Sequence, residues 1–345
     1  MSHISKLNNI KNKNWANAFC AHYPNSSLDE VHWANEVCKY TGTKLNSVTI
    51  DPLNSGYSLM ESIFQTEEPY LTIPLPMLSL YNSISKNNIK VTLDGHGADE
   101  MFSGYGHLAA LIDTKSYKIS NQILNILESL ETGYFNSNKT HNILAKVIAR
   151  FKYRAGKSYF LRSLFKIISG QLSLSSFYLK NDLNFKQDTR FQKFDSLTKD
   201  LYEIFHFTIL PTLLRNYDRY SMSSGVEIRM PFMDWRLVCL AFSLPWPSKI
   251  GNTFTKRIHR DAMSNILPET VRCRRDKLGW NSPMHEWLRG PLRSQINTLL
   301  SDSPDTNSDL TSDWNRFQLS PQVNYKDGEL IWTKILPVIW KQSFF

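Results

Sequence analysis

What most limits the folds open to this chain is the alternation of strand-like and helix-like stretches over its first hundred residues. Residues 15–23, WANAFCAHY, alternate as a strand does. The Pro24-Asn25-Ser26-Ser27 turn that follows carries serines able to cap a helix. That helix is expected over 28–40, with Val31, Ala34 and Val37 or Cys38 on one face and a stop at Gly42. KLNSVTI at 44–50 reads as a second strand. Helical patterns at 57–64 and 76–86, separated by Glu67-Glu68-Pro69, then lead to a short strand at 91–93. Strands alternating with helices predict an α/β fold with a doubly wound parallel sheet, whose ligand site lies at the carboxyl ends of the strands.

The third strand runs into the stretch with the clearest chemistry, Lys90 to Gly106, KVTLDGHGADEMFSGYG. Gly95 and Gly97 bracket His96, and Asp99 and Glu100 open the next segment, which reads as a tight turn entering a helix. Glycines let backbone N–H groups approach a ligand, a helix N-terminus favours anionic oxygens, and carboxylates can hold a divalent cation. The same residues also suit an ordinary turn with acids complementing the helix dipole.

A length of 345 residues with 41% hydrophobic content is enough for one large or two ordinary domains with a substantial core. The net charge of +9 is spread over 40 Lys and Arg side chains, so it favours anionic partners without naming one. Neither a nucleic-acid-binding signature nor an apolar run of membrane-spanning length occurs, so neither nucleic acid nor a membrane span is expected. Cys20, Cys38, Cys239 and Cys273 show no metal-ligand spacing and are expected to be buried thiols in a reducing, cytoplasmic setting. The Asn- and Lys-rich residues 1–14 lack an apolar core for a secretory signal and are expected to fray.

Beyond this point a resemblance adds to the reading. LDGHGADEMFSGY resembles the S-G-D/E-G-A/S-D-E-L-F-G-G-Y segment of the asparagine synthetase family. LLRNYDRYSMSSGVEIRMPFMDWRLV from Leu213, then FTKRIHRDAMSNILPETVRCRRDKLGW and SPMHEWLRG, are similar to that family in the same order, and LIWTKILPVIW resembles its final helix. The resemblance implies a sheet of the adenine-nucleotide alpha-hydrolase (ATP pyrophosphatase) type, with a large helical portion. It also implies ATP and Mg²⁺, a carboxylate substrate, and ammonia or an amine as nitrogen donor. Carried over residue by residue, Gly95 and Gly97 contact the nucleotide, Asp99 binds Mg²⁺, Lys277 meets the pyrophosphate and the oxyanion, and Glu100 supports the site. The resemblance further places Glu67-Glu68-Pro69 beside the site, although a solvated loop fits those residues nearly as well. His96 departs from the family, which has Asp or Glu there in amide synthetases; an imidazole can act as a base near neutral pH.

The family's Ser-Gly-Gly-X-Asp-Ser loop, which grips ATP, does not occur in this sequence, and neither does a glutamine-hydrolysing domain. The sheet is therefore expected to be incomplete at its N-terminus. The expected organisation is a partial nucleotide-binding sheet over 15–110, a variable helical region over 111–208 and a family-like helical part over 209–345. Seven Lys or Arg and no acid between Lys146 and Lys166 read as the solvated face of a helical subdomain rather than a membrane surface. Two functions stand open. One is ATP-dependent amide formation through an acyl-adenylate, with a partner chain supplying the loop or glutaminase and with aspartate, a sugar uronic acid or a peptide side chain as acceptor. The other is an inactive relative that serves as a binding or scaffold subunit.

Overall fold

The computed structural model describes residues 16–105, 194–251, 254–275 and 282–345. Strand β1, Asn17–His22, pairs in parallel with β2, Lys44–Thr49, in a register that sets Asn17 against Lys44 and His22 against Thr49. Helix α1, Val31–Thr41, makes the crossover between them and stops where Gly42 turns left-handed at φ 70°. Its start differs from the sequence expectation: no side chain caps its first turn, and the nearby Val31 N–H approaches Asp29 Oδ1 at 3.4 Å, not Ser26 or Ser27. Asp29 is spent on three groups, since the same carboxylate also meets the Tyr23 N–H and the His22 ring.

Helix α2, Leu59–Thr66, opens with a reciprocal cap. The Glu61 N–H donates to Ser58 Oγ at 3.1 Å and the Ser58 N–H to Glu61 Oε2 at 2.7 Å. Helix α3, Leu75–Lys86, packs against β1 and β2 and leads to β3, Val91–Leu93, which enters the short helix α4, Ala98–Phe102. Beyond the undescribed stretch come α5, Ser196–His206, and α6, Ile209–Met222, and then β4, Glu227–Arg229. The Gly225–Pro231 segment reads from its sequence as extended, and its β4 residues pair in parallel with β3, Val91 opposite Glu227.

Parallel pairing is thus present, but the described residues make two separate two-stranded pairs rather than one doubly wound sheet. The β3–β4 pair is only three residues long on each side. The molecule is mostly helical: α7, Trp235–Ser243; α8, Trp246–Lys249; α9, Arg257–Ala262; α10, Glu269–Arg272; α11, Met284–Arg289; α12, Arg293–Asp302; α13, Ser308–Leu319; and α14, Tyr325–Phe344. Apolar spacing predicts an amphipathic helix over 255–266, with Ile258, Ala262 and Ile266 inward, and that helix is not formed at this length. α9 ends at Ala262, which is exposed, and Asn265 has a left-handed φ of 60° that breaks the helical run.

One apolar core joins the two ends of the chain. Ala21, Ile50, Leu59, Ile63 and Leu75 pack with Met284, Leu288, Trp314, Trp332, Ile335 and Ile339. Trp332 at its centre is fully buried and its indole N–H donates to the Tyr70 carbonyl at 2.9 Å, so the polar edge of a large apolar ring is satisfied. α14 continues through Pro337. Cys38 is buried as expected, whereas Cys239 and Cys273 are exposed because each lies on the outer side of a helix or turn. Among the described residues no helix is long and apolar enough to cross a membrane. The basic stretch 146–166, residues 1–14, expected to fray, and most of the 111–208 region lie outside the described residues.

Candidate active site

The site is built where β3 stops. The Asp94 N–H still donates to the Arg229 carbonyl at 2.9 Å, which extends the β3–β4 ladder by one bond and fixes where the turn begins. Gly97 then turns left-handed at φ 92° and its carbonyl accepts the Met101 N–H at 3.0 Å, starting α4. Glycine is required there twice over: the angle disfavours any side chain, and a Cβ would stand 2.1 Å from Met233 Cε. Gly95 is different. It is exposed and nothing lies within 4 Å of where its Cβ would be, which leaves backbone open to an approaching ligand.

His96, between the glycines, has only 12% of its side chain exposed and meets the ring of Tyr217 edge-on, 4.0 Å between centroids. Its Nδ1 is buried 2.9 Å from Asp94 Oδ1, at an angle oblique to a linear hydrogen bond. The Gly95 N–H donates to the same Asp94 oxygen at 2.5 Å.

The acidic pair splits into two roles. Glu100 points inward, 2% exposed, and accepts a 2.6 Å hydrogen bond from the Tyr105 hydroxyl. Burial, with the Glu100 and Asp99 charges, holds that phenol protonated well above its ordinary range. Asp99 stays partly exposed, and its Oδ1 lies 2.7 Å from Lys256 Nζ. Gly104 lies so close over the same oxygen that a Cβ there would stand 1.7 Å from it. Lys256 reaches Asp99 from the turn before α9 with a left-handed φ of 53°, unusual for a side-chain-bearing residue and common where a fold holds a functional group in place. Beside it His259 sits between Phe102 and Phe232, and burial plus the Lys256 and Arg260 cations hold its imidazole below the usual range.

Lys277 lies outside the described residues, but the segment entering it is anchored. Arg274 Nη1 donates to Glu30 Oε1 at 2.8 Å and its guanidinium lies 4.8 Å from the Trp33 ring centre, tying the segment to α1. Arg275 lies over Phe254 at 5.1 Å. At the carboxyl end of β1, His22 Nδ1 is 2.9 Å from Asp29 Oδ2.

Glu67 is exposed and Glu68 half-buried, and both are paired with arginines. Glu68 meets Arg215 at 3.0 Å and Arg219 at 3.2 Å, and Arg219 also reaches Glu67 at 3.4 Å. These bonds clamp the end of α2 onto α6. Glu227 and Arg229 pair at 2.8 Å as a structural couple, whereas Arg219 pairs with the two glutamates and the Thr66 carbonyl. A cleft of about 830 Å³ opens at the amino ends of β1 and β2, lined by Asn17, Lys39, Lys44 and Asn87. It lies at the opposite end of β1 from His22.

Sequence reasoning missed Lys256 and Asp94. Asp94 was legible in principle, two residues before the histidine; Lys256 carries no local signature. For Mg²⁺, no group of three or more His, Cys, Asp or Glu among the described residues could hold an ion. One carboxylate suffices when the ion arrives with phosphate and water ligands, and Asp99, already facing a cation, fits that sharing.

Comparison with known proteins gives the lineage. The Asparagine synthase family model matches residues 2–326. "Asparagine synthetase [glutamine-hydrolyzing] 1" of Bacillus subtilis (strain 168) is 22% identical over 329 residues, covering 93% of this chain and 51% of that protein. "Putative asparagine synthetase [glutamine-hydrolyzing]" of Mycobacterium bovis is 23% identical over 295 residues, covering 83% of this chain and 44% of that protein. The chain spans about half the length of the curated relatives it matches. With a turn built for ligand approach, a carboxylate facing a cation and a family match over nearly its whole length, the chain belongs to the asparagine synthase family.

Proposed function

We propose that the chain forms amides at the expense of ATP, joining a carboxylate to ammonia or an amine. ATP supplies a leaving group to the carboxylate oxygen through an acyl-adenylate, with AMP and pyrophosphate as the other products. Carrying the reading is the Asp99–Lys256 pair at the head of α4, where a family carboxylate sits beside an ammonium at a turn with open backbone. In this reading Gly95 lets the nucleotide approach and Asp99 holds Mg²⁺ together with the phosphates. Glu100, locked by Tyr105, keeps α4 in place, and Lys277 balances charge on the departing oxygens. His96 takes the proton of the attacking nitrogen. The Ser-Gly-Gly-X-Asp-Ser loop does not occur in this sequence, and the intact enzyme carries or borrows it, as it does any glutaminase.

Without that loop in its sequence, the chain by itself binds ATP weakly. Calorimetry with Mg²⁺ and ATP tests this: millimolar affinity, lost in Asp99→Asn, is expected. Low-micromolar affinity would show that no loop is needed, and a loss-free Asp99→Asn would remove Asp99 from the site. The histidine in place of an acid marks either an altered acceptor or lost synthetase activity, and the acceptor is aspartate, a sugar uronic acid or a peptide side chain. A scaffold subunit without chemistry is the outcome if neither ATP nor any carboxylate binds.

A further inference from the structure

The departure at His96 is not alone. In the segment LDGHGADE, Asp94 stands where the resembling segment has Ser, and His96 stands where it has Asp or Glu. The two departures meet in space, His96 Nδ1 2.9 Å from Asp94 Oδ1. We propose that Asp94 and His96 act as one carboxylate–imidazole dyad that replaces the single acid of the family, with Asp94 as the positioning residue and His96 Nε2 as the proton acceptor. This rests on the amide-forming reading of the site.

Charge supplies the first argument. A neutral imidazole alone would carry none of the negative charge of the acid it replaces, and once protonated it would add a cation. A neutral imidazole beside a carboxylate carries the same single negative charge as the acid, and after taking a proton the pair is neutral, as a protonated acid is. The dyad therefore conserves the charge change of the step it serves.

Geometry supplies the second. The Gly95 N–H donates to Asp94 Oδ1 at 2.5 Å, which biases the carboxylate toward the turn. The edge of Tyr217 closes on the imidazole from the core side, and burial holds that phenol protonated, well above its ordinary range. Nδ1 is buried and faces Asp94 Oδ1 without a hydrogen bond of regular geometry. A carboxylate at Nδ1 favours the tautomer with the proton there, which leaves Nε2 as the acceptor. The oblique Nδ1 approach is ordinary for a catalytic pair before substrate closes the site.

The step balances. The lone pair of the amine nitrogen forms the C–N bond, the bond from the acyl carbon to the adenylate oxygen breaks, and AMP leaves with that electron pair. The surplus proton on nitrogen passes to Nε2.

The test uses ¹⁵N-histidine-labelled protein, with His96 assigned from the spectrum of H96Q, and compares wild type with D94S. Expected is a wild-type His96 mainly protonated at Nδ1 and a shift toward the Nε2-protonated tautomer in D94S. An unchanged tautomer overturns the dyad. In parallel, carboxylate- and amine-dependent AMP release is expected to fall about 100-fold in D94S at an unchanged KM for ATP. It should recover in D94S/H96E, which restores the family pattern. A full rate in D94S overturns the proton-transfer role even if the tautomer moves. Wild type without AMP release in the presence of the segment or partner that carries the ATP-gripping loop would refute the amide-forming reading, while the spectra would still decide the dyad.

Discussion

Lys249 gives the sharpest quantitative prediction. It ends the four-residue helix α8, is fully buried, and its Nζ has no hydrogen-bond partner among the described residues; the ring of Phe242 lies 5.4 Å away. Burial pushes its ammonium down from 10.5 to about 8, with Asp195 opposing only in part. A base whose folded value lies below its unfolded one costs the fold stability while both states are protonated. The cost is therefore full below pH 8, shrinks as pH rises from 8 to 10.5, and vanishes above that. Its size below pH 8 is about 3 kcal/mol. Lys249→Met keeps the aliphatic stem and removes the charge, so it should stabilise the protein at pH 7 by about 2 kcal/mol once the lost ring contact is counted. Urea unfolding of both proteins at pH 7 and pH 10 isolates the effect, because every other titrating group cancels in the difference. The variant should lead clearly at pH 7 and hardly at all at pH 10. A variant no more stable at pH 7, or a lead that does not shrink with pH, would refute the reasoning.

Other expectations follow from the same contacts. Gly97→Ala places a Cβ at φ 92° and against Met233, so chemical denaturation should show a loss of about 1–3 kcal/mol, with part of the clash relieved by the flexible methionine. Tyr105→Phe leaves Glu100 buried without its donor and should cost about 2 kcal/mol by the same measurement. Trp332→Ala opens the centre of the core and orphans the Tyr70 carbonyl, and a loss of about 3–5 kcal/mol in thermal or urea unfolding is expected. Replacing Arg219 by Met should loosen the end of α2, which hydrogen exchange at residues 63–67 reads directly.

Local chemistry was what the sequence showed best. The strands at β1, β2 and β3 alternate or cluster β-branched residues, and the stop at Gly42 follows from the angle only glycine adopts cheaply. The turn around His96 was legible because its glycines and acids are consecutive. What escaped depends on contacts between distant parts of the chain. Lys256 meets Asp99 across 157 positions, and β4 finds β3 across about as many, so neither leaves a periodic trace. Glu67 and Glu68 looked solvated because their partners, Arg215 and Arg219, lie on another helix. The short α9 was overread because apolar spacing alone does not register the left-handed residues at either end, Lys256 and Asn265. The breadth of the sheet was inferred from alternation, which fixes the order of elements but not which strand edges meet.

The most direct test of the central claim is to identify the nucleotide product. The protein, together with the segment or partner that carries the ATP-gripping loop and given millimolar Mg²⁺ and ATP with ammonia and a panel of carboxylates that includes aspartate, a uronic acid and an acidic peptide, should release AMP and pyrophosphate in step with one amide. ADP in place of AMP, or no nucleotide turnover with any carboxylate, would contradict it.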